Sequence, residues 1–200
     1  MGVAAHIGEV GRFCQPGMTE RDLAEFTLIP HPSAPSTTVE RITVAATRPT
    51  RDTIALRYCI HGDLDAIRWP APAEPAFAHE LWMHTCFEAF VAGEGDFYRE
   101  LNLSPSTRYA IYDFNGYRGA MRDAAERDIR LHFDRASATL TAEVTMPALA
   151  DVPEWRLGLT TVIEDASGAK SFWALAHPRD EPDFHNQAGF VARLAAPASA

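Results

Sequence analysis

The sequence has few cysteines, no long apolar run and few basic residues. Its three cysteines, Cys14, Cys59 and Cys86, are odd in number, and none belongs to a C-x-x-C pair. The sequence therefore indicates neither a disulfide framework nor a zinc site. We expect reduced, mostly buried thiols, which are typical of the cytoplasm. With 46% hydrophobic residues among 200, the chain can fill one substantial core without such cross-links.

No stretch reaches the roughly 20 consecutive apolar residues that a membrane-spanning helix needs. Charged side chains interrupt the first twenty residues, so the pattern of a secretory signal is not found there. We interpret residues 1–22 as a poorly specified leader, in which Met18 is a second candidate start, and residues 197–200 as a frayed tail. One domain is predicted over residues 23–196, in the cytoplasm and without a membrane partner.

Basic residues are outnumbered, because 18 Lys and Arg stand against 27 Asp and Glu, for a formal net charge of −9. Nucleic-acid binding needs a basic face that contacts phosphates, and the arginines here are scattered along the chain. Composition and charge therefore argue against a nucleic-acid partner. We interpret the acidity as a contribution to solubility.

The chain does contain many short segments in which apolar and polar residues alternate, a pattern typical of strands with one buried face. Turn residues separate them, and no segment has the period of a long amphipathic helix. Strands are predicted at 39–47, 53–60, 84–92, 97–103, 108–114, 129–133, 138–146, 155–164, 171–176 and 189–194. Nine or ten such strands predict an all-β sandwich or barrel, with the proline-rich residues 68–80 as a loop pressed against it.

Two predicted strands carry acids where an apolar residue is expected, and such departures often mark function. In 84–92, Glu88 is flanked on its face by residues that favour burial, and a buried carboxylate needs a partner. In 97–103, Glu100 and Asn102 share a face. If the strands pair as a hairpin, the two glutamates become cross-strand neighbours that repel without a cation or a shared proton. A structural salt bridge or an outward-facing Glu88 is the simpler alternative.

A third unusual segment, residues 171–190, brings Trp173, Asp183 and His185 together with two prolines. Imidazole and carboxylate groups suit several divalent ions, but the spacing matches no established metal site. We therefore assign no metal, and ordinary loop histidines are the simpler interpretation. Arg118, in the loop after 108–114, is a candidate counterion for the two glutamates.

The strings LWMHTCFEAFV, YRELNLSPS followed by RYAIYDFNGYRGAM, and FWALAHP with PDFH resemble those of bacterial DOMON-like proteins. These are related to DOMON domains and to family 9 carbohydrate-binding modules, and the resemblance runs from about Phe26 to Leu194. It implies an immunoglobulin-like two-sheet β-sandwich that binds a ligand: a sugar in the carbohydrate-binding modules, haem in some DOMON domains. This chain departs from the first group in lacking a predicted secretion signal, and from the second in offering no alignable pair of axial ligands.

A sugar site needs aromatic faces that stack on C–H surfaces, and polar groups that bind hydroxyls. The unusual segments supply both, although tryptophans of sandwiches are more often core than platform. The predicted ligand-binding residues are Trp82, His84, Glu88, Glu100, Asn102, Tyr109, Tyr117, Arg118, Trp173, Asp183 and His185.

We predict non-catalytic sugar binding by a monomer or homodimer, and three alternatives stay open. A haem-binding domain would use a slot of Phe87, Phe90 and Phe114 with a His or Met at the iron. A retaining glycosidase would hold the carboxyls of Glu88 and Glu100 about 5–5.5 Å apart. An interaction domain would use an exposed sheet edge. Neither haem nor calcium has a sequence motif here, so the cofactor is unassigned.

Overall fold

The computed structural model describes residues 24–125 and 128–198, which form twelve β-strands and no α-helix. The predicted all-β class is confirmed. The leader predicted at residues 1–22 lies outside the described residues, as do residues 199–200 of the predicted tail. No helix in the described ranges is long and apolar enough to cross a membrane. The strands are β1 (Ala24–Pro30), β2 (Val39–Thr50), β3 (Thr53–Gly62), β4 (Cys86–Ala92), β5 (Phe97–Leu103), β6 (Tyr109–Asn115), β7 (Arg122–Asp123), β8 (Ile129–Asp134), β9 (Thr139–Thr145), β10 (Glu154–Glu164), β11 (Lys170–Ala174) and β12 (Ala192–Ala195).

Eleven strands form one continuous antiparallel sheet in the order β7-β6-β5-β4-β10-β11-β1-β2-β3-β9-β8, and β12 pairs with β10. Strand β1 joins the two halves, because its first part pairs with β2 and its last two residues, Ile29 and Pro30, pair with β11. The sheet curls into a half-barrel. The β1–β2–β3–β9–β8 half thereby faces the half that contains β4, β5, β6, β10 and β11.

All ten predicted strands are present, within a few residues of their predicted ends. Strands β1 and β7 were not predicted. The sequence did not predict β1, because the strand ends at Pro30 and a proline-rich turn follows. Phe26 and Leu28 do alternate with polar residues along it. The segment after Gly116, predicted as a loop, contains β7, a two-residue strand held by pairing with β6.

The main apolar core lies between the two halves of the curled sheet. Phe87 of β4 and Leu101 of β5 meet Tyr58 of β3 and Leu140 of β9 there. The rings of Tyr58 and Phe87 are 5.2 Å apart, and the Tyr58 hydroxyl donates to the backbone oxygen of Glu88 at 2.7 Å. This bond joins the halves directly, since it satisfies a buried polar group of one half with a backbone group of the other.

The opposite face of β4, β5, β6 and β10 carries a smaller apolar cluster and is covered by loops. The proline-rich residues 68–80 run along β6, where the backbone N–H of Ala78 donates to Tyr109 and that of Tyr109 to Ala76. The prediction of a loop pressed against the domain is therefore confirmed. Cys86 is buried on this face and Cys59 is half-buried elsewhere; neither is in a disulfide, and Cys14 lies outside the described residues.

Candidate functional site

A cavity of about 410 Å³ opens on the loop-covered face of β4, β5, β6, β10 and β11. Cavities of about 300–1,000 Å³ are the usual size for small-molecule sites. The sheet forms its floor, and its walls come from the loops before β4, after β6 and after β11. It is lined by Trp82, Glu88, Phe90, Glu100, Tyr112, Phe114, Arg118, Met121, Val162, Phe172, Pro182, Phe184 and His185.

Two glutamates lie on the floor of this cavity, and both are buried: Glu88 is 2% exposed and Glu100 5%. Strands β4 and β5 pair as predicted, with Glu88 opposite Asn102 and Phe90 opposite Glu100. The glutamates are therefore diagonal neighbours on one face and do not stand directly opposite each other. Diagonal side chains on neighbouring strands still interact, so the hairpin brings the two acids together as predicted.

Only part of this acid pair is hydrogen-bonded. The Asn102 amide donates to Oε1 of Glu100 at 2.8 Å, and the Thr160 hydroxyl donates to Oε2 of Glu88 at 3.2 Å. Within residues 24–125 and 128–198, Oε1 of Glu88 has no hydrogen-bond partner although it is buried. A buried polar atom without a partner is costly, and in a cavity it marks a position for a bound group.

Burial changes the protonation of both acids. It raises the pKa of Glu88 well above the usual carboxyl range, and the charge of Glu100 raises it further. Burial also raises the pKa of Glu100 to about 7, against the Asn102 hydrogen bond and the Arg118 charge, which lower it. The pair therefore retains at least one proton at neutral pH, because two adjacent carboxylates resist double ionisation in a poorly solvated site.

His185 closes the cavity beside Glu100 and is neutral there. Burial, assisted by the Arg118 charge, lowers the pKa of His185 to about 4, against the Asp183 charge, which raises it. Its Nδ1 lies 2.8 Å from the Tyr98 hydroxyl, whose oxygen also accepts from the backbone N–H of Arg118. Its Nε2 lies 3.8 Å from Oε2 of Glu100.

The mouth of the cavity is fixed by a contact between two loops. Asp183 accepts hydrogen bonds from the Tyr117 hydroxyl at 2.9 Å and from the Arg118 guanidinium at 3.2 Å, and Arg179 lies 3.3 Å from it. Arg118 was predicted as the counterion of the glutamates. It does line the cavity, but its ion pair is with Asp183, because its loop packs against the β11–β12 loop at the rim.

Six predicted ligand-binding residues do not line the cavity: His84, Asn102, Tyr109, Tyr117, Trp173 and Asp183. His84 is exposed and lies 2.7 Å from a carboxylate oxygen of Glu164, whereas Tyr109 packs on Phe77 and the main core. Trp173 is 3% exposed in that core. Side chains alternate along β11. Trp173 therefore faces the core, and Phe172, the residue before it, lines the cavity. Asn102 contributes indirectly, through its bond to Glu100.

The sequence analysis did not predict several lining residues as sugar contacts, chiefly Tyr112, Phe172 and Phe184. Tyr112 could have been found, since it lies opposite Glu100 on the neighbouring strand β6. No strand pattern indicates Phe184, because a loop places it in the cavity. Phe87, predicted as part of a haem slot, faces the main core, on the side opposite the cavity. In the described residues, no group of three His, Cys, Asp or Glu could hold a metal ion.

The fold is similar to that of a solved structure. A "putative carbohydrate-binding protein" from Bacteroides uniformis ATCC 8492 matches with a TM-score of 0.64 and 15% sequence identity, over 88% of this chain and 87% of that one. At this identity the match concerns the fold alone. No family model matches the chain, and no curated protein matches it.

Proposed function

We propose that this chain is a non-catalytic carbohydrate-binding protein, related to DOMON domains, that holds a sugar in the cavity over Glu88 and Glu100. The observation that carries the proposal is the combination of aromatic walls with two buried acids, one of which has an unpartnered oxygen. The two facing halves of the curled sheet would correspond to the layers of an immunoglobulin-like sandwich. We place the protein in the cytoplasm, as a monomer or homodimer.

The cavity offers contacts both to the apolar C–H surface of a sugar and to its hydroxyl groups. Rings such as Trp82 and Phe172 offer apolar faces to the C–H side of a pyranose. The acids and the neutral His185 offer hydrogen bonds to hydroxyls, and a protonated glutamate can donate as well as accept. The printed name of the Bacteroides uniformis protein agrees with this proposal.

The resemblance to DOMON-like proteins, and not the position of the acids, favours binding over glycoside hydrolysis. In glycosidases the two carboxyls flank the scissile bond. Here Glu88 and Glu100 project side by side from one face of adjacent strands, where they interact with each other. We expect no release of product from aryl glycosides, and measurable turnover that Glu88→Gln removes would favour the enzyme.

Haem is the second candidate, because Phe90, Phe114, Met121 and His185 all line the same cavity. Against it, one imidazole nitrogen of His185 is bonded to a tyrosine hydroxyl and the other faces Glu100. A visible spectrum of protein made in cells supplied with a haem precursor separates the two. A Soret band near one haem per chain would replace the sugar proposal.

Calorimetric titration against a panel of mono- and disaccharides tests the proposal directly. Glu100→Gln should weaken binding at least 10-fold, because it changes the proton balance and the hydrogen bonds of the floor. His84→Ala is the matched control, since His84 lies outside the cavity and should leave the affinity unchanged. Loss of binding in the His84 variant alone would place the site elsewhere.

A further inference from the structure

We infer that the bound saccharide carries a protonated amine, which lies against the Glu88–Glu100 pair. This inference rests on the proposed function, and it narrows the ligand class from sugars in general to amino sugars. Three features of the cavity support it: an unpartnered acceptor, the absence of a cation committed to the acids, and the aromatic walls.

The acceptor is Oε1 of Glu88, which lines the cavity without a hydrogen-bond partner in the described part of the chain. Either a hydroxyl or an ammonium group of a ligand could donate to it. A hydroxyl supplies one proton and no charge, so Glu88 and Glu100 would still need to keep a proton between them. An ammonium group supplies three donors and a positive charge, so it satisfies the oxygen and favours ionisation of the pair.

The cationic side chains near the acids are committed elsewhere. Arg118 pairs with Asp183, which also lies within 3.3 Å of Arg179. His185 bonds to the Tyr98 hydroxyl through Nδ1 and is held neutral by its surroundings. In the described residues, Arg118 therefore influences Glu100 through its charge but is hydrogen-bonded to Asp183, whereas buried charges are normally paired directly. A ligand cation would complete the site.

The walls also favour a cation. Six aromatic residues line the cavity around the two acids, and the electron-rich faces of such rings attract ammonium groups. Cages of several aromatic rings are an established way to bind organic cations. The six are Trp82, Phe90, Tyr112, Phe114, Phe172 and Phe184.

The test uses three β-1,4-linked disaccharides that differ mainly in the group at C2 of each ring. The glucosamine dimer carries ammonium groups, its N,N′-diacetylated form carries acetamido groups, and cellobiose carries hydroxyls. Calorimetry with the full chain near pH 7, where Glu100 is partly ionised, should give at least 10-fold tighter binding of the glucosamine dimer than of either other disaccharide.

Variants assign that preference to the acids. Glu88→Gln should reduce the preference for the glucosamine dimer at least 10-fold, and Glu100→Gln gives an independent readout if one variant folds poorly. Glu143→Gln is the matched control, because it makes the same substitution on β9, away from the cavity, where Glu143 pairs with Arg130. The control should bind all three disaccharides as the natural chain does.

The outcomes separate this inference from the proposed function. Equal or tighter binding of cellobiose overturns the amine inference and leaves sugar binding standing. If no disaccharide binds but cyclohexylammonium does, in a manner that depends on Glu88, sugar binding fails and the cation site stands. Binding of neither kind of probe overturns both.

Discussion

The two faces of strands β4 and β5 are buried to a similar extent, yet they carry different chemistry. On the inner face Phe87 and Leu101 are fully buried among apolar side chains of the opposite half of the sheet. On the outer face Glu88 and Glu100 are nearly as buried, beneath loops and aromatic rings. Burial alone therefore does not separate core from site. The difference lies in which charged groups are buried together: opposite charges on the inner face and two acids on the outer face.

A buried ion pair on the inner face sharpens this contrast. Arg99 of β5 points away from the cavity, and its guanidinium donates two hydrogen bonds to Asp113 of β6, at 2.7 and 3.2 Å. A second cavity of about 450 Å³ lies beside this pair. The pair joins charges of opposite sign, whereas the two outer acids are of like charge, so the outer face is where a ligand can add a favourable interaction.

The largest expected effect comes from Trp173→Ala, which tests the inner face. Removal of a fully packed Trp leaves a cavity in the core, and we expect a loss of about 3–5 kcal/mol in the free energy of unfolding. Urea denaturation measures it. Phe172→Ala, one residue along β11 on the cavity side, should cost about half as much and should weaken sugar binding. If Trp173→Ala folds stably and loses only binding, the assignment of the two faces of β11 is reversed.

Breaking the inner ion pair should have the next largest effect. Asp113→Asn leaves the Arg99 charge buried without its carboxylate, and such losses cost about 3 kcal/mol. The midpoint of urea unfolding should fall accordingly. Glu143→Gln, which breaks the exposed pair with Arg130, should change stability by less than about 1 kcal/mol. Similar effects of the two variants would contradict the contrast between buried and exposed pairs.

The outer acids should make the folded state less stable as the pH rises. An acid whose folded pKa is raised stabilises fully below its unfolded value, 4.5, and this contribution of Glu100 is lost as the pH rises through about 7. The pKa of Glu88 is raised as well, so its contribution declines in the same direction. His185 opposes them: its pKa is lowered from 6.5 to about 4, so its contribution is complete above 6.5 and is lost on acidification.

Between pH 4.5 and 6.5 the contributions of Glu100 and His185 oppose each other, which leaves the decline from Glu88, and above pH 6.5 only the acids act. The free energy of unfolding should therefore fall as the pH rises through about 7, where Glu100 ionises. Urea unfolding across this range measures the decline. Glu88→Gln keeps the neutral form and should flatten it; a variant with an unchanged decline would remove Glu88 from the explanation.

The smallest effect is expected at the rim. Tyr117→Phe removes the exposed hydrogen bond to Asp183, and surface changes of this kind alter stability by about 0.5 kcal/mol or less. Sugar affinity should change only a few-fold, because Tyr117 does not line the cavity. Thermal melting and calorimetry check both. A large loss of affinity would show that the loop contact itself organises the site.

Much of this site could be predicted from strand patterns. Alternation placed Glu88 and Glu100 on a shared face, and the short turn between β4 and β5 predicted their pairing. Periodicity could not give the diagonal register, since that depends on hydrogen-bond pairing along the whole hairpin. It also could not tell which side of β11 faces the core, because Phe172 and Trp173 are both large and apolar.

The sequence by itself determined the all-β class, ten of the twelve strands and the two acids, because alternation and turn residues act over a few neighbouring positions. Only the tertiary structure decided that Phe184 and His185, nearly a hundred residues from Glu88, complete the cavity and that Arg118 turns to Asp183. It also decided that β1 joins the halves into one curled sheet. These outcomes depend on how loops pack and on which distant strands pair. Many such arrangements are compatible with the same local alternation of residues, and they differ in which buried polar groups find hydrogen-bond partners.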